Sequence, residues 1–153
     1  MKTRSPRRAV RATVVILAAA TAIGSLEATP AAAARGGERE LRAYINEDRD
    51  DRGARRLDMR RFLVRAARRH SRRMAHTGQL VHSTDLASYA GSRDWSIIGE
   101  NVGYGPSMQV LHDAFMDSRP HRRNALDRRY GEVGVGMAVG DDGRIWVTIL
   151  FLG

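Results

Sequence analysis

The chain has 153 residues, of which 26 are lysine or arginine and 17 are aspartate or glutamate, so its formal net charge is +9. It contains no cysteine, which excludes disulfide bonds, thiol nucleophiles and thiolate metal sites. The basic charge alone does not predict nucleic-acid binding, because neither a recognisable binding module nor aromatic residues interleaved with the basic ones accompany it.

The N-terminus has the pattern of a secretory signal peptide. A basic segment precedes an apolar run over residues 12–23, and small residues follow at 31–34. The apolar run is shorter than the roughly 20 residues that a membrane span needs, so we expect residues 1–34 to be a signal peptide. An uncleaved anchor is the alternative. Removing the leader takes away five basic residues and Glu27, which lowers the net charge from +9 to +5.

Two helices are predicted after the leader. A short exposed linker over residues 35–40 leads into a single domain over residues 41–153, whose first helix runs from about Glu38 to a turn near Gly53. Asp58 is the predicted N-cap of a second helix, which carries apolar residues at helical spacing and ends before Gly78.

The histidines along these helices divide into core and surface positions. His70 lies on the apolar side of the second helix, where a hydrogen-bonded core imidazole is the ordinary arrangement. His76 and His112 are expected at the surface or at a helix edge.

An irregular segment and a third helix follow. Residues 79–98 predict a loop, which Leu86, Tyr89 and Trp95 are expected to hold against the core. Ser107 is the predicted cap of the third helix, and Pro120 is expected to end it.

The end of the chain predicts an antiparallel hairpin over residues 132–139 and 144–151, joined by a turn at 140–143. Apolar side chains occupy both faces of the second strand, so we expect a sheet covered on both sides. Helices followed by such strands predict a three-layer α/β/α arrangement.

Four short signals occur in a fixed order across this domain: His82-Ser83, Gly-Glu-Asn-Val-Gly at 99–103, His-Arg-Arg-Asn at 121–124, and Val-Gly-Val-Gly at 133–136. Their order resembles the CAP family, which includes cysteine-rich secretory proteins, antigen 5 and plant pathogenesis-related-1 proteins. The closest likeness is to its compact, cysteine-free bacterial branch. The resemblance implies a CAP-type α/β/α sandwich with a small, mainly antiparallel sheet.

The resemblance also implies a central cleft that holds two histidines and two acidic residues. His82, Glu100 and His121 match three of these positions. At the fourth, Ser118 stands where larger members have a glutamate, and Asp117 and Glu132 are the carboxylates nearby.

The matched residues suit metal or ligand binding. Neutral imidazoles bind zinc and similar divalent ions, and a carboxylate can complete or orient such a site. His82 and His121 are therefore the candidate metal ligands, and the three residues together form a candidate ligand-binding cleft.

The sequence leaves open whether the protein is an enzyme. Our leading hypothesis is a secreted or envelope-associated CAP-domain protein, expected to be monomeric, whose cleft binds a ligand or a divalent metal. The ligand is unidentified, with a lipid or another cell-envelope component among the options. The alternative is a metal-dependent hydrolase of peptide or cell-wall material with Glu100 as its catalytic residue. A third is an interaction domain in which a buried hydrogen-bond network stiffens the cleft without binding.

Overall fold

The structure is a computed structural model that describes residues 30–153. The predicted signal peptide lies outside these residues, apart from its end at 30–34. The helices are α1 (Pro30–Asp51), α2 (Arg61–Thr77), α3 (Ala87–Ala90), α4 (Met108–Asp117) and α5 (Arg119–Leu126). The strands are β1 (Asp58–Met59), β2 (Ile98–Gly105), β3 (Glu132–Val139) and β4 (Ile145–Leu152).

The strands form one sheet in the order β1-β3-β4-β2. Strand β4 pairs antiparallel with β2 on one side and with β3 on the other, and the two-residue strand β1 runs parallel to β3. The predicted hairpin and the mainly antiparallel sheet are therefore confirmed. None of the helices within residues 30–153 has the length and apolar character needed to cross a bilayer.

Helices cover both faces of the sheet. On one face, Val147, Ile149 and Phe151 of β4 pack in a core with side chains of α1 and α4, such as Leu41 and Leu111. On the other face, the remaining β4 side chains pack against α2 in two smaller clusters that include Leu150 with Leu63 and Trp146 with Met74. This is the three-layer α/β/α sandwich that the alternation along β4 predicted.

Helix α2 lies unusually close to β3 because two glycines face it. A methyl group on Gly134 would overlap the backbone of Leu63, and one on Gly136 would overlap the backbone of Arg68. The Val-Gly-Val-Gly pattern thus places small residues under α2 and valines in the opposite core. Ser71 uses the closeness to donate a hydrogen bond to the carbonyl oxygen of Gly136, at 2.9 Å.

A buried arginine joins α1 to the segment that follows α5. The Arg49 side chain is fully buried, and its guanidinium donates to the carbonyl oxygens of Arg55, Ala125, Asp127 and Tyr130 at 2.7–3.0 Å. Burial lowers the pKa of this guanidinium. Its four carbonyl partners offset the cost of burying the charge and fix where α5 ends.

The chain before α2 differs from the prediction in two places. The expected linker at 35–40 continues α1 as helix, and Glu38 is buried in an ion pair with Arg68. Asp58 does not cap α2, because its backbone N–H donates to Gly131 O as part of the edge strand β1. Helix α2 begins instead at Arg61, and it ends before Gly78 as predicted, with that glycine at φ 65°.

The middle of the chain also differs. Ser107 caps α4 as predicted, but the helix ends at Asp117, because Ser118 is extended. Pro120 lies in the first turn of α5, where a proline is tolerated because its missing N–H would have no helical partner there. Leu86 and Tyr89 pack on the core as expected, whereas Trp95 is 39% exposed, so its predicted anchoring role is wrong.

We expect Gly136→Ala to lower the free energy of unfolding by about 2–3 kcal/mol, because the added methyl group forces α2 off the sheet. Gly36→Ala is the matched control. Nothing lies within 4 Å of that position in α1, so alanine there should raise the stability by about 0.5–1 kcal/mol. Chemical denaturation of both variants measures the difference. Equal stabilities would contradict the close contact.

We expect Arg49→Met to lower the free energy of unfolding by about 3 kcal/mol or more, because it leaves four carbonyl oxygens, two of them in fully buried hydrogen bonds, without their charged donor. Arg39→Met makes the same chemical change at an exposed position of the same helix, and it should alter stability by no more than about 0.5 kcal/mol. Thermal unfolding followed by calorimetry compares the two. A mild effect at Arg49 would mean that water satisfies the carbonyl groups.

Candidate functional site

Glu100 lies in the middle of β2 with its side chain on the α2 side of the sheet. It pairs across the ladder with Leu150, which packs against α2, and its side chain is only 1% exposed. A carboxylate buried this deeply needs several donors to offset its lost hydration. Its hydrogen bonds therefore define the local architecture.

Two consecutive residues supply those donors. His82 Nδ1 donates to Glu100 Oε2 at 2.7 Å, and the backbone N–H of Ser83 donates to the same oxygen at 2.9 Å. Ser83 Oγ donates to Glu100 Oε1 at 2.5 Å, and in turn accepts from the Tyr89 hydroxyl at 3.1 Å. Both carboxylate oxygens are thus engaged, and the loop after α2 is held against β2.

His70 of α2 also holds the loop that follows this helix. Its Nδ1 accepts from Arg73 at 2.7 Å, since a guanidinium can only donate. The proton of the neutral imidazole is then on Nε2, which donates to the carbonyl oxygen of Val81 at 2.8 Å and lies 3.8 Å from Glu100 Oε1. The expectation of a hydrogen-bonded core histidine is confirmed, and its contacts place it beside the Glu100 carboxylate and against the residue that precedes His82.

His121 approaches from α5. Its Nδ1 lies 2.9 Å from Ser118 Oγ, and its ring meets Phe115 edge-on with 5.2 Å between centroids. Burial, and then the charge on nearby His82, lowers the pKa of His121. The two histidines are therefore close enough to influence each other, although no hydrogen bond joins His121 to Glu100 within residues 30–153.

Side-chain amides fasten α5 to β2. Asn124 Nδ2 donates to the carbonyl oxygen of Glu100 at 3.1 Å and to Asn101 Oδ1 at 2.9 Å. Asn101 Nδ2 donates to the carbonyl oxygen of His121 at 3.0 Å. The two asparagines therefore link the backbones that carry Glu100 and His121, which sets the spacing across the cleft.

The sequence profile of the CAP family, described as the cysteine-rich secretory protein family, matches residues 42–151. The chain belongs to the CAP family. No curated protein sequence is a significant match to it.

Solved CAP structures share the fold. An outer surface protein from Borrelia burgdorferi has a TM-score of 0.70 at 14% identity, over 77% of this chain and 92% of that one. An extracellular protein with an SCP domain from Bacillus anthracis has a TM-score of 0.69 at 21% identity, over 81% of this chain and 43% of that one.

A cysteine-rich secretory protein from Staphylococcus aureus has a TM-score of 0.65 at 22% identity, over 77% of this chain and 38% of that one. This chain therefore spans less than half of the Bacillus and Staphylococcus proteins. At these identities the likeness shows the fold alone.

The resemblance predicted Ser118 at the fourth cleft position, with Asp117 and Glu132 as the nearby carboxylates. Ser118 contacts His121 through its hydroxyl. Asp117 is exposed on the last turn of α4, and Glu132 pairs with Arg60 beside β1. Within residues 30–153, neither of these carboxylates makes a hydrogen bond or ion pair with His82 or His121.

The predicted surface positions of His76 and His112 can be compared with the structure. His76 is exposed, as predicted. His112 is 9% exposed, and its Nε2 lies 2.9 Å from Asp48 Oδ2, so the expected surface position is wrong. Its partner comes from α1, 64 positions earlier in sequence, so no local pattern around His112 could indicate the pair.

The donor set fits a divalent metal with two protein ligands. In both cleft histidines Nδ1 has a partner, Glu100 or Ser118, which leaves Nε2 without one in the described part of the chain. Hydrogen bonding at one ring nitrogen is how proteins orient the other toward a metal. No group of three or more His, Cys, Asp or Glu side chains within residues 30–153 is placed to hold a metal. The remaining ligands would be water or an organic molecule.

We expect His82→Gln to raise the pKa of His121 without restoring its ordinary value, because burial is the larger cause of the shift. Glutamine keeps an amide donor for Glu100. His76→Gln, at an exposed position of α2, is the control and should leave the pKa of His121 unchanged. A titration of the imidazole resonances by NMR measures each pKa. If the pKa of His121 were the same in His82→Gln as in the parent, the two rings would not interact.

Proposed function

We propose that this chain is an exported CAP domain whose cleft binds a ligand through the Nε2 atoms of His82 and His121, and that a divalent metal such as zinc is the class that suits it. The observation that carries the proposal is the shared anchoring of the two rings. Each is fixed through Nδ1, and each keeps Nε2 without a partner among the described residues. A lowered pKa keeps His121 neutral, as a metal ligand must be.

Export is part of the same proposal. The leader has the pattern of a signal peptide. The structural neighbours from Bacillus and Borrelia are described as an extracellular and an outer surface protein. The lack of cysteine is compatible with an oxidising compartment, because no thiol is available to oxidise. We therefore place the ligand outside the cytoplasm or at the cell envelope.

Glu100 positions His82 in this proposal and does not act as a base. Its side chain is 1% exposed, and both its oxygens accept hydrogen bonds. A general base must reach the proton it removes. The contacts of Glu100 thus favour ligand binding over the hydrolase alternative, in which this carboxylate would act on a bound water.

We expect the purified protein to bind Zn²⁺ with a stoichiometry of one, and His82→Ala and His121→Ala each to weaken binding at least about tenfold. His76→Ala removes an exposed imidazole outside the cleft and should bind as the parent does. Calorimetric titration at pH 7 measures the affinities, with circular dichroism to confirm folding. Undiminished Zn²⁺ binding in both cleft variants would refute the ligand assignment.

Glu100→Gln tests the positioning role in the same titration. Glutamine has the size of glutamate but removes the charge that orients the His82 Nδ1 proton, so Zn²⁺ affinity should fall by about tenfold while the fold persists. Loss of all binding would instead make Glu100 a direct ligand.

A further inference from the structure

A basic groove of about 810 Å³ lies between α5 and the start of β2, and the segment that connects α5 to β3 also lines it. Four arginines line it: Arg119, Arg122, Arg123 and Arg129. Asp127 is the one carboxylate in the lining. We call this surface the arginine groove.

Two of the four guanidinium groups are already engaged. Arg122 donates to the carbonyl oxygen of Met116, and Arg129 pairs with Asp127 at 2.6 Å. The hydrogen bond from Arg129 lowers the pKa of Asp127 to about 2, so this carboxylate is charged and neutralised within the pair.

Arg119 and Arg123 have no such partner. No hydrogen bond, ion pair or ring contact involves either side chain within residues 30–153, although the charge of Arg123 acts on Asp127 and Tyr130 through space. They are four positions apart on α5, so their side chains lie on the same face of the helix. Arg119 also begins the helix, where the helix dipole disfavours a cation. A bound anion would relieve both the mutual repulsion and the unfavourable dipole.

The hydroxyl group of Tyr130 is an uncharged hydrogen-bond donor in the lining of the groove. Tyr130 is 3% exposed and lines the groove, yet its hydroxyl has no hydrogen-bond partner among residues 30–153. Gly99 has no side chain, which leaves room for that hydroxyl. Burial raises the pKa of Tyr130, so the hydroxyl keeps its proton at neutral pH and can donate to an anion.

Apolar side chains complete the lining. Ile97, Ile98 and Leu126 border the groove beside the charged groups. A bare inorganic anion would leave most of the 810 Å³ unfilled and this apolar wall uncovered. An anion that carries an organic group would use both.

We propose that the arginine groove binds the phosphate group of an organic phosphate ester, with Arg119 and Arg123 as its charged ligands and the Tyr130 hydroxyl as a further donor. Guanidinium groups match the geometry of phosphate oxygens and bind them in pairs. A phosphate also offers more acceptor oxygens than a carboxylate, which suits a groove lined by two guanidinium groups and a hydroxyl. None of the residues that line this groove is His82, Glu100 or His121, and the proposal does not depend on metal binding by those histidines.

The probe is phenyl phosphate, titrated calorimetrically into the full protein, with inorganic phosphate and phenol as reference compounds. We expect saturable one-to-one binding of phenyl phosphate, at least threefold tighter than inorganic phosphate, and no binding of phenol. Arg119→Ala/Arg123→Ala should weaken phenyl phosphate at least tenfold. Tyr130→Phe should weaken it about threefold without lowering the stability, because the hydroxyl it removes bonds nothing in the described chain.

The matched control is Arg65→Ala/Arg69→Ala on α2. These arginines are also exposed, four residues apart and without a partner among residues 30–153, but they do not line the arginine groove. The control removes the same charge and should keep phenyl phosphate affinity within twofold of the parent. Equal losses in the two double variants would overturn the proposal, since attraction would then depend on net charge alone.

A vesicle arm separates the two sources of a phosphate ester. Sedimentation with phosphatidylglycerol vesicles, against phosphatidylcholine vesicles, reports binding to a lipid headgroup. Binding to phosphatidylglycerol that disappears in Arg119→Ala/Arg123→Ala, together with phenyl phosphate binding, supports the site and identifies lipid as a source. Phenyl phosphate binding without vesicle binding supports the site with a soluble ester as its ligand. No phenyl phosphate binding overturns the proposal whatever the vesicles show.

Discussion

The arrangement of the cleft depends on one close contact, that between α2 and β3. Gly134 and Gly136 allow the backbone of α2 to approach the sheet where any larger residue would overlap it. At that distance Ser71 can donate its hydroxyl proton to Gly136 O at 2.9 Å and accept a hydrogen bond from Thr148 Oγ1 at 3.0 Å. Polar groups that would be costly to bury alone thereby satisfy one another. The helix is held at a fixed height and rotation, so the residues at its C-terminal end are fixed as well.

Hydrogen bonds connect α2 to the loop that follows it, and that loop to Glu100. His70, in the middle of α2, donates a hydrogen bond to the backbone carbonyl of Val81, and His82 follows directly in the chain. His82 and Ser83 can then reach the carboxylate of Glu100 on β2. The buried charge is stable only because three donors converge on it, and they converge only if α2 is close to the sheet. The burial of the Glu100 charge therefore depends on the close packing of α2, which in turn depends on glycine at positions 134 and 136.

The parts of this structure that follow from local patterns could be predicted from the sequence, and those that need distant partners could not. Alternation along residues 145–151 predicted a sheet covered on both faces. The family resemblance predicted His82, Glu100 and His121 as cleft residues, and the structure joins the first two by a hydrogen bond. Strand β1 exists only because β3 and the residue before it, more than 70 positions later, accept its backbone hydrogen bonds. The end of α4 depends on Ser118, whose extended backbone lets Pro120 begin a new helix rather than end an old one.

That break at Ser118 also decides the electrostatics of the cleft. A glutamate at this position would place a second carboxylate beside His121 and favour its protonated form. Serine offers a neutral hydroxyl instead, so burial acts unopposed and the pKa of His121 falls. Glu100 cannot compensate, because His82 and Ser83 already occupy both its oxygens. The two imidazoles are therefore supported differently, His82 by the buried carboxylate of Glu100 and His121 by a neutral hydroxyl, because serine stands at position 118.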